Sequence, residues 1–480
     1  MKKLLVPGLL GMLLAGCAVG PNYKQPVVAV PEQYREVQGP PAPAESLADL
    51  PWWETFKDPV LRDLIDEALR NGYDVRIAAW RVDEARARAG IARSEFFPQI
   101  GYGGDWSRRL ISTEVAPGST TRNLYSANVN FGWELDLWGR IRRLNESARA
   151  QYLATEEGRR GVVLSLVSEV AATYFTLRGL DELLVIAKST VASFDQQYKL
   201  FSLKLEGGAA SAIQTSYAGA ALGQVAAQVP DIERQIEATE NRLSLLLGRN
   251  PGPIPRGGTL SAQAIPPKIP AGLPSDLLKR RPDILQAEQQ LVAANAQIGA
   301  ARAQYFPAIS LSGALGSAST DLSNLFKGPA STWNYAGSVV GPIFTAGLIS
   351  GQVAQAEATR KAALFNYQQT IQAAFADVST ALSARQMLQE RLASQEKLVR
   401  SLQDYSRLAR LQYEGGYAPY STVLQAEQTL FPAELTLATL RAQTASSVAA
   451  IYKALGGGWV DRADAMTRAA GDAADAPTVR

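Results

Sequence analysis

The chain twice changes from a helical to an alternating pattern at a proline. Residues 304–316 read QYFPAISLSGALG: up to Pro307 the sequence is Ala-, Gln- and Arg-rich, and beyond it Ile309, Leu311, Gly313 and Leu315 alternate with Ser310, Ser312 and Ala314. Residues 94–104, SEFFPQIGYGG, make the same switch at Pro98. Proline removes a backbone donor and disfavours helix in the residue before it, so each helix stops there. Strands are predicted over Gln99–Trp106 and Ala308–Leu315. A returning strand follows each. Tyr125, Ala127, Val129, Phe131, Trp133 and Leu135 alternate with Ser126, Asn128, Asn130, Gly132 and Glu134, and Tyr335–Val340 ends before Pro342.

Beyond each hairpin the period lengthens. Leu166, Val170, Thr173, Leu177, Leu180, Leu184, Ala187, Val191, Phe194, Tyr198, Phe201 and Leu205 are spaced 4-3-4-3. That is about 3.5 residues per step, the coiled-coil period. A helix from Gly139 to Glu206 would extend about 100 Å. Gly207-Gly208 stops it, and Ser211–Leu247 returns antiparallel. Leu388, Leu392, Val399 and Leu402 keep a similar seam in the second half.

The two halves are copies. Phe96-Phe97-Pro98 recurs as Tyr305-Phe306-Pro307, an offset of 307 − 98 = 209; Glu206-Gly207-Gly208 recurs as Glu414-Gly415-Gly416, and Leu247-Gly248 as Leu455-Gly456, both offset by 208. Repeat 1 is assigned to 61–249, with its leading helix from Leu61 to Phe96, hairpin 99–137 and tip turn 207–208. Repeat 2 is 275–458, with hairpin 308–343 and tip turn 415–416. A proline-rich connector, 250–274, separates them; 17–60 reads as an extended segment and 459–480 as a disordered tail.

Composition narrows the chemistry. There is no histidine and one cysteine, which excludes Ser-His-Asp and Cys-His catalysis, His-based zinc sites and disulfides. No phosphate-binding glycine loop or metalloprotease helix is present. The formal charge is +3 without a basic stripe for nucleic acid. No catalytic, cofactor or metal residue is assigned, and an enzyme is not expected. The cysteine stands at Leu14-Ala15-Gly16-Cys17, after Lys2-Lys3 and an apolar run too short to cross a bilayer. Residues 1–16 read as a lipoprotein signal peptide, with Cys17 the acylated N-terminus of the mature chain. This covalent lipid is the only added group expected.

The alternating strands then need an environment. An isolated hairpin has no core on which to lay an apolar face, whereas a transmembrane β-barrel requires apolar-out, polar-in alternation. Four strands cannot close alone; three chains supply 4 × 3 = 12. Tyr102, Trp106, Phe131, Trp133 and Tyr335 are the expected aromatic girdle.

Longer stretches carry a resemblance: PWWETFKDPVLRDLIDEALRNGYDVRIAAWRVDEARA, WELDLWGR, LLLGRNPGPIP, LLKRRPDILQAEQQLVAANAQIGAARAQYFP, GPIFTAGL, YEGGYAPYSTVLQAEQTL and YKALGGGW. In this order they resemble the outer membrane factor family of TolC-like channels, in its OprM-type lipoprotein branch. The resemblance implies a mainly α protein with a transmembrane β-barrel. It would be a homotrimer in which a 12-stranded barrel in the bacterial outer membrane continues as a 12-helix periplasmic barrel. It also implies a passive exit duct for drugs or small amphiphiles, docked on a periplasmic adaptor and an inner-membrane RND transporter. The gate would lie at the helix tips, among Gly207, Gly208, Tyr413, Glu414, Gly415, Gly416, Tyr417 and Tyr420. Ala418 stands where the family often has an aspartate, so an acidic ring is not assigned there. Copy two, with its tyrosines, is expected to form the inner, constricting helix pair. Three alternatives share some of these features. One is a metal-cation duct, which the two methionines left after cleavage, Met387 and Met466, do little to support. The others are a type I secretion duct and a lipid-anchored periplasmic coiled-coil scaffold.

Overall fold

The computed structural model describes residues 18–31, 55–110, 121–260 and 274–457, together with Tyr34, Leu47, Leu50, Glu114 and Gly272. Cys17, the signal peptide 1–16, the tail 459–480 and residues 261–271 of the connector lie outside the described residues. The chain divides into two units, one of residues 1–28, 82–156 and 286–368, the other of 29–81, 157–285 and 369–480.

In chain order the main elements of the first half are helices α1 (Pro59–Asn71) and α2 (Tyr73–Ser94), strands β1 (Gln99–Arg109) and β2 (Arg122–Leu135), and helix α3 (Arg140–Glu206). Helices α4 (Ala212–Ala226) and α5 (Gln228–Leu246) complete it. The second half has α6 (Leu277–Arg280), α7 (Pro282–Ala303), β3 (Ala308–Ser319), β4 (Ser331–Val340), α8 (Leu348–Glu414) and α9 (Tyr420–Ala454).

The duplication is carried into three dimensions. Helices α3 and α8 both have 67 residues, and α2 and α7 both have 22. Six of the glycines with positive φ form three pairs offset by 208: Gly139 and Gly347 before the long helices, Gly208 and Gly416 at the tips, Gly248 and Gly456 after the returning helices. The last pair needs glycine for space as well as for conformation. A Cβ on Gly248 would stand 2.2 Å from the Asn71 carbonyl oxygen, and one on Gly456 would stand 3.2 Å from that of Arg280.

Two expected helices are interrupted. The leading helix divides at Gly72, where ψ is 127°, because the Gly248 turn packs against that point. The return from the tip divides at Ala227, three residues before Pro230, whose ring and missing N–H disrupt the turn behind it. Strand β4 starts at Ser331 instead of Tyr335, which adds Trp333 to the sheet.

In the second unit α1 is capped by Asp58, whose carboxylate accepts from the N–H groups of Val60 (2.9 Å) and Leu61 (3.3 Å). Its Leu61, Leu64, Ile65, Ala68 and Leu69 enter a core with Tyr174, Leu177 and Tyr452. Every position of the α3 seam is at least partly buried except Tyr198 and Leu205. In the first unit the segment after Cys17 is laid along helices. Val19 N–H donates to the Trp138 carbonyl (3.0 Å), Tyr23 to Glu288 (3.0 Å), and Arg143 to the Asn22 side chain (2.7 Å).

Candidate channel wall, junction and tips

The two hairpins form one antiparallel sheet in the order β1-β2-β3-β4, so β1 and β4 are its edges among the described residues. Directly opposed residues share a face, and the registers place Ile100, Phe131, Gly313 and Tyr335 in one row and Tyr102, Val129, Leu315 and Trp333 in the next. All five expected girdle residues, Tyr102, Trp106, Phe131, Trp133 and Tyr335, fall on this face. Two aromatics missing from the expectation join them: Trp333 stacks on Tyr335 (5.6 Å) and Tyr125 on Trp106 (6.5 Å). From Leu135 to Tyr125 is ten residues, about 34 Å of strand or roughly 26 Å of height at the usual barrel tilt, close to the apolar band of an outer-membrane barrel.

The other face is polar. Asn130 lies over Gly101 and Asn128 over Gly103, where an added Cβ would meet their side-chain oxygens at 3.3 and 3.4 Å. On the apolar side the Phe131 ring fills the place of a side chain at Gly313, coming within 2.4 Å of where a Cβ would be. A one-residue slip would exchange the faces, so these interlocks fix the register.

The WELDLWGR stretch joins strand to helix. Trp133 donates its indole N–H to the Phe96 carbonyl (3.0 Å) and Trp138 to that of Pro307 (2.8 Å), at the two corners where proline ends a helix. Asp136 caps α3 by accepting from the N–H groups of Ile141 and Arg142, both at 2.9 Å. Glu134 and Arg140 form a two-pronged ion pair at 2.8 and 2.9 Å.

Each tip turns on its second glycine. Gly208 (φ +70°) and Gly416 (φ +79°) have open space where a Cβ would be, and Ala209 and Tyr417 donate back to the carbonyls of Lys204 and Gln412. Ser211 and Gln214 form a reciprocal cap on α4. Glu414 and Tyr417 are exposed, Tyr417 at 89 %. Tyr420 is not a free lumen-facing ring: it is 5 % exposed, packed on Phe201 (4.1 Å) and Tyr413 (5.3 Å), and donates to Gln197. Burial, and then the Glu427 carboxylate, holds its phenol above the ordinary range. Glu427 accepts from Gln197 (2.9 Å) and Arg410 (2.6 Å), and Lys204 donates to the Tyr413 hydroxyl (3.1 Å). The tip of copy one is thus bonded to that of copy two by pairings with no local sequence signal.

A sheet apolar on one face and polar on the other, joined through the short connections 136–139 and 341–347 to helices of 67 residues, is the architecture of an outer-membrane channel protein. A model of the family "Outer membrane efflux protein" matches residues 64–249 and again 273–457, and the chain belongs to that family. It is 37% identical over 459 residues to the cation efflux system protein CusC of Escherichia coli, covering 95% of this chain and 98% of that one. It is 38% identical over 466 residues to the toluene efflux pump outer membrane protein TtgI of Pseudomonas putida, covering 96% and 99%. The crystal structure of the open state of the Neisseria gonorrhoeae outer membrane channel MtrE superposes with a TM-score of 0.83 at 32% identity, over 92% of this chain and 98% of that chain. The protein is an outer-membrane exit duct of an efflux pump and extends into the periplasm.

Proposed function

We propose that three copies assemble into one duct, each giving four strands to a 12-stranded barrel and four helical columns to the periplasmic wall. The observation that supports this is the four-stranded sheet with a continuous apolar face and two edges, β1 and β4, unpaired among the described residues. In hydrocarbon an open edge leaves backbone donors and acceptors unmet, at several kcal/mol per group, so the sheet must close. β1 and β4 have 11 and 10 residues and run in opposite directions, which suits antiparallel closure between copies. The mature chain begins at Cys17 and carries its acyl chains there. The duct docks on a periplasmic adaptor fed by an inner-membrane RND transporter and passively conducts drugs, solvents or other small amphiphiles. The tips are its gate, with copy two inside: exposed Tyr417 narrows the passage, while buried Tyr420 ties the inner pair to the outer.

Cross-linking of the detergent-extracted protein tests the assembly. Products should stop at three chains. A monomer that stays soluble without detergent would refute the barrel. A second reading, a duct for metal cations, is favoured by the 37% identity to CusC, named as a cation efflux protein.

A further inference from the structure

The two edges of the sheet are related by the duplication. Advancing Gln99↔Gly132 of the first hairpin by 209 on one strand and 208 on the other gives Ala308↔Val340, the pair observed in the second hairpin. The same shift reproduces every β3–β4 pair down to Ser317↔Ser331, the counterpart of Arg108↔Asn123. Structurally, β3 is β1 repeated and β4 is β2 repeated. The chain also contains one junction between unlike repeats, β2 against β3, whose register runs from Tyr125↔Ser319 to Leu135↔Ile309. In a closed ring β4 of one copy meets β1 of the next, which is that junction with the repeats exchanged.

Advancing β2 by 208 and taking β3 back by 209 gives the exchanged pairs. Asn130↔Ala314 becomes Ser338 opposite Asp105, and Asn128↔Gly316 becomes Ala336 opposite Ser107. Two properties of the strands agree with this alignment. The faces match: Gly337 and Val339 of the apolar face fall opposite Trp106 and Gly104 of the same face. The sizes match as well. Within the chain the Phe131 ring fills the space at Gly313, which it opposes. Across the seam Trp106 takes the space at Gly337, and Val339 that at Gly104. A slip of one residue exchanges the faces. A slip of two in either direction sets Gly104 against another glycine, Gly337 or Gly341, and sets Trp106 against Tyr335 or Val339. Beyond the end of β4, the fully exposed Ile343 falls opposite Ile100, itself 73 % exposed. Their counterparts are Leu135 and Ile309, an opposed and half-buried pair.

We propose that copies recognise one another through this one register, with Ser338 facing Asp105 and Ala336 facing Ser107 of the next copy. The proposal rests on the three-copy reading and adds to it the surface by which copies meet. It also makes the stagger uniform. In the row Gln99–Gly132–Ser312 the step from β1 to β3 arrives at the counterpart of Gly103, four residues on. Continuing through Ala336 to Ser107 of the next copy advances by four again. A barrel closes on a fixed stagger, and an even step keeps each face continuous around the ring.

Paired cysteines in the full-length protein test the register. Within one chain β1 and β4 lie three strand spacings apart, about 14 Å. A disulfide needs Cα atoms within about 7 Å, so one formed here joins neighbouring copies. Asp105→Cys with Ser338→Cys, and separately Ser107→Cys with Ala336→Cys, should lock most of the oxidised, detergent-extracted protein into a three-chain product. The crossed combinations, Asp105→Cys with Ala336→Cys and Ser107→Cys with Ser338→Cys, use the same four sites at the diagonal spacing of about 7–8 Å. They should give at least about fivefold less product. Crossed pairs that link as well as the matched ones overturn the register and leave the assembly standing. The absence of any disulfide, in variants that an amine-reactive cross-linker still joins into three chains, overturns the seam in the same way. Single chains only, from the wild-type protein under that cross-linker, overturn the three-copy reading and this inference with it.

Discussion

Arginine substitutions at Val129 and Asn128 test the two faces of the sheet with adjacent residues. Val129 sits between Tyr102 and Leu315 on the apolar face, six residues from Leu135 and four from Tyr125, so it lies near the middle of the apolar band. Asn128 faces the other way, over Gly103. An arginine at the lipid-facing midplane costs about 2–4 kcal/mol, a factor of about 30 to 900 in the folding equilibrium. At Asn128 the guanidinium would stand in water opposite small residues, and the change should stay within about 0.5 kcal/mol. Urea-titrated folding into phospholipid vesicles, read by the electrophoretic shift of the folded barrel, measures both variants. Equal costs, or a larger cost at Asn128, would overturn the assignment of faces and with it the closure of the barrel.

The tips give a second contrast: Tyr417→Ala should raise single-channel conductance, whereas Tyr420→Ala should chiefly destabilise the helix pair, by about 3–5 kcal/mol in thermal unfolding. Unchanged conductance in Tyr417→Ala would remove copy two as the gate. Cys17→Ser should abolish the lipid-modified N-terminal peptide in mass spectra while leaving the barrel able to insert; a wild-type N-terminus found unmodified at another residue would contradict the anchor. Gly208→Ala should cost about 1–2 kcal/mol, since only the positive φ opposes it, and Gly248→Ala clearly more, because the added methyl also strikes the Asn71 carbonyl. Tyr174 donates to Asp58 (2.9 Å) and accepts from the Gly257 N–H (2.9 Å), and burial pushes its phenol from 10.0 up to about 12. A raised phenol favours the fold below the unfolded value, so this contribution is complete below pH 10 and is lost as pH rises through about 12. Tyr174→Phe should flatten that part of the alkaline unfolding curve.

The strands were the most legible part of the chain because alternation of period two is a local property, and Tyr125 to Leu135 carries it without a fault. Once β2 is oriented, register carries the face assignment across the sheet, which is why all five girdle residues agree. What was not legible depends on partners far away in sequence. Gly72 ends a helix because Gly248 packs on it, and nothing near Gly72 announces that. Tyr420 was read with the gate because it is one of the bulky tyrosines around the second tip turn; its burial comes from Phe201 in the other repeat. Trp333 was passed over because the loop before it hid the start of the strand.

The open edges of the sheet also govern how the protein can reach its membrane. Among the described residues about half of the backbone groups of β1 and of β4 have no partner strand, so the sheet offers two rows of unsatisfied donors and acceptors. Such a sheet cannot enter hydrocarbon by itself, yet in water it is a template for any stray strand. If the sheet closes between copies as proposed, entry into the membrane and association of copies are one event, with a rate that climbs steeply with protomer concentration. Until that event, the edges of each chain stay open to stray pairing unless something covers them. Expression level, and not stability alone, then decides how much of the protein becomes a pore and how much aggregates on the way.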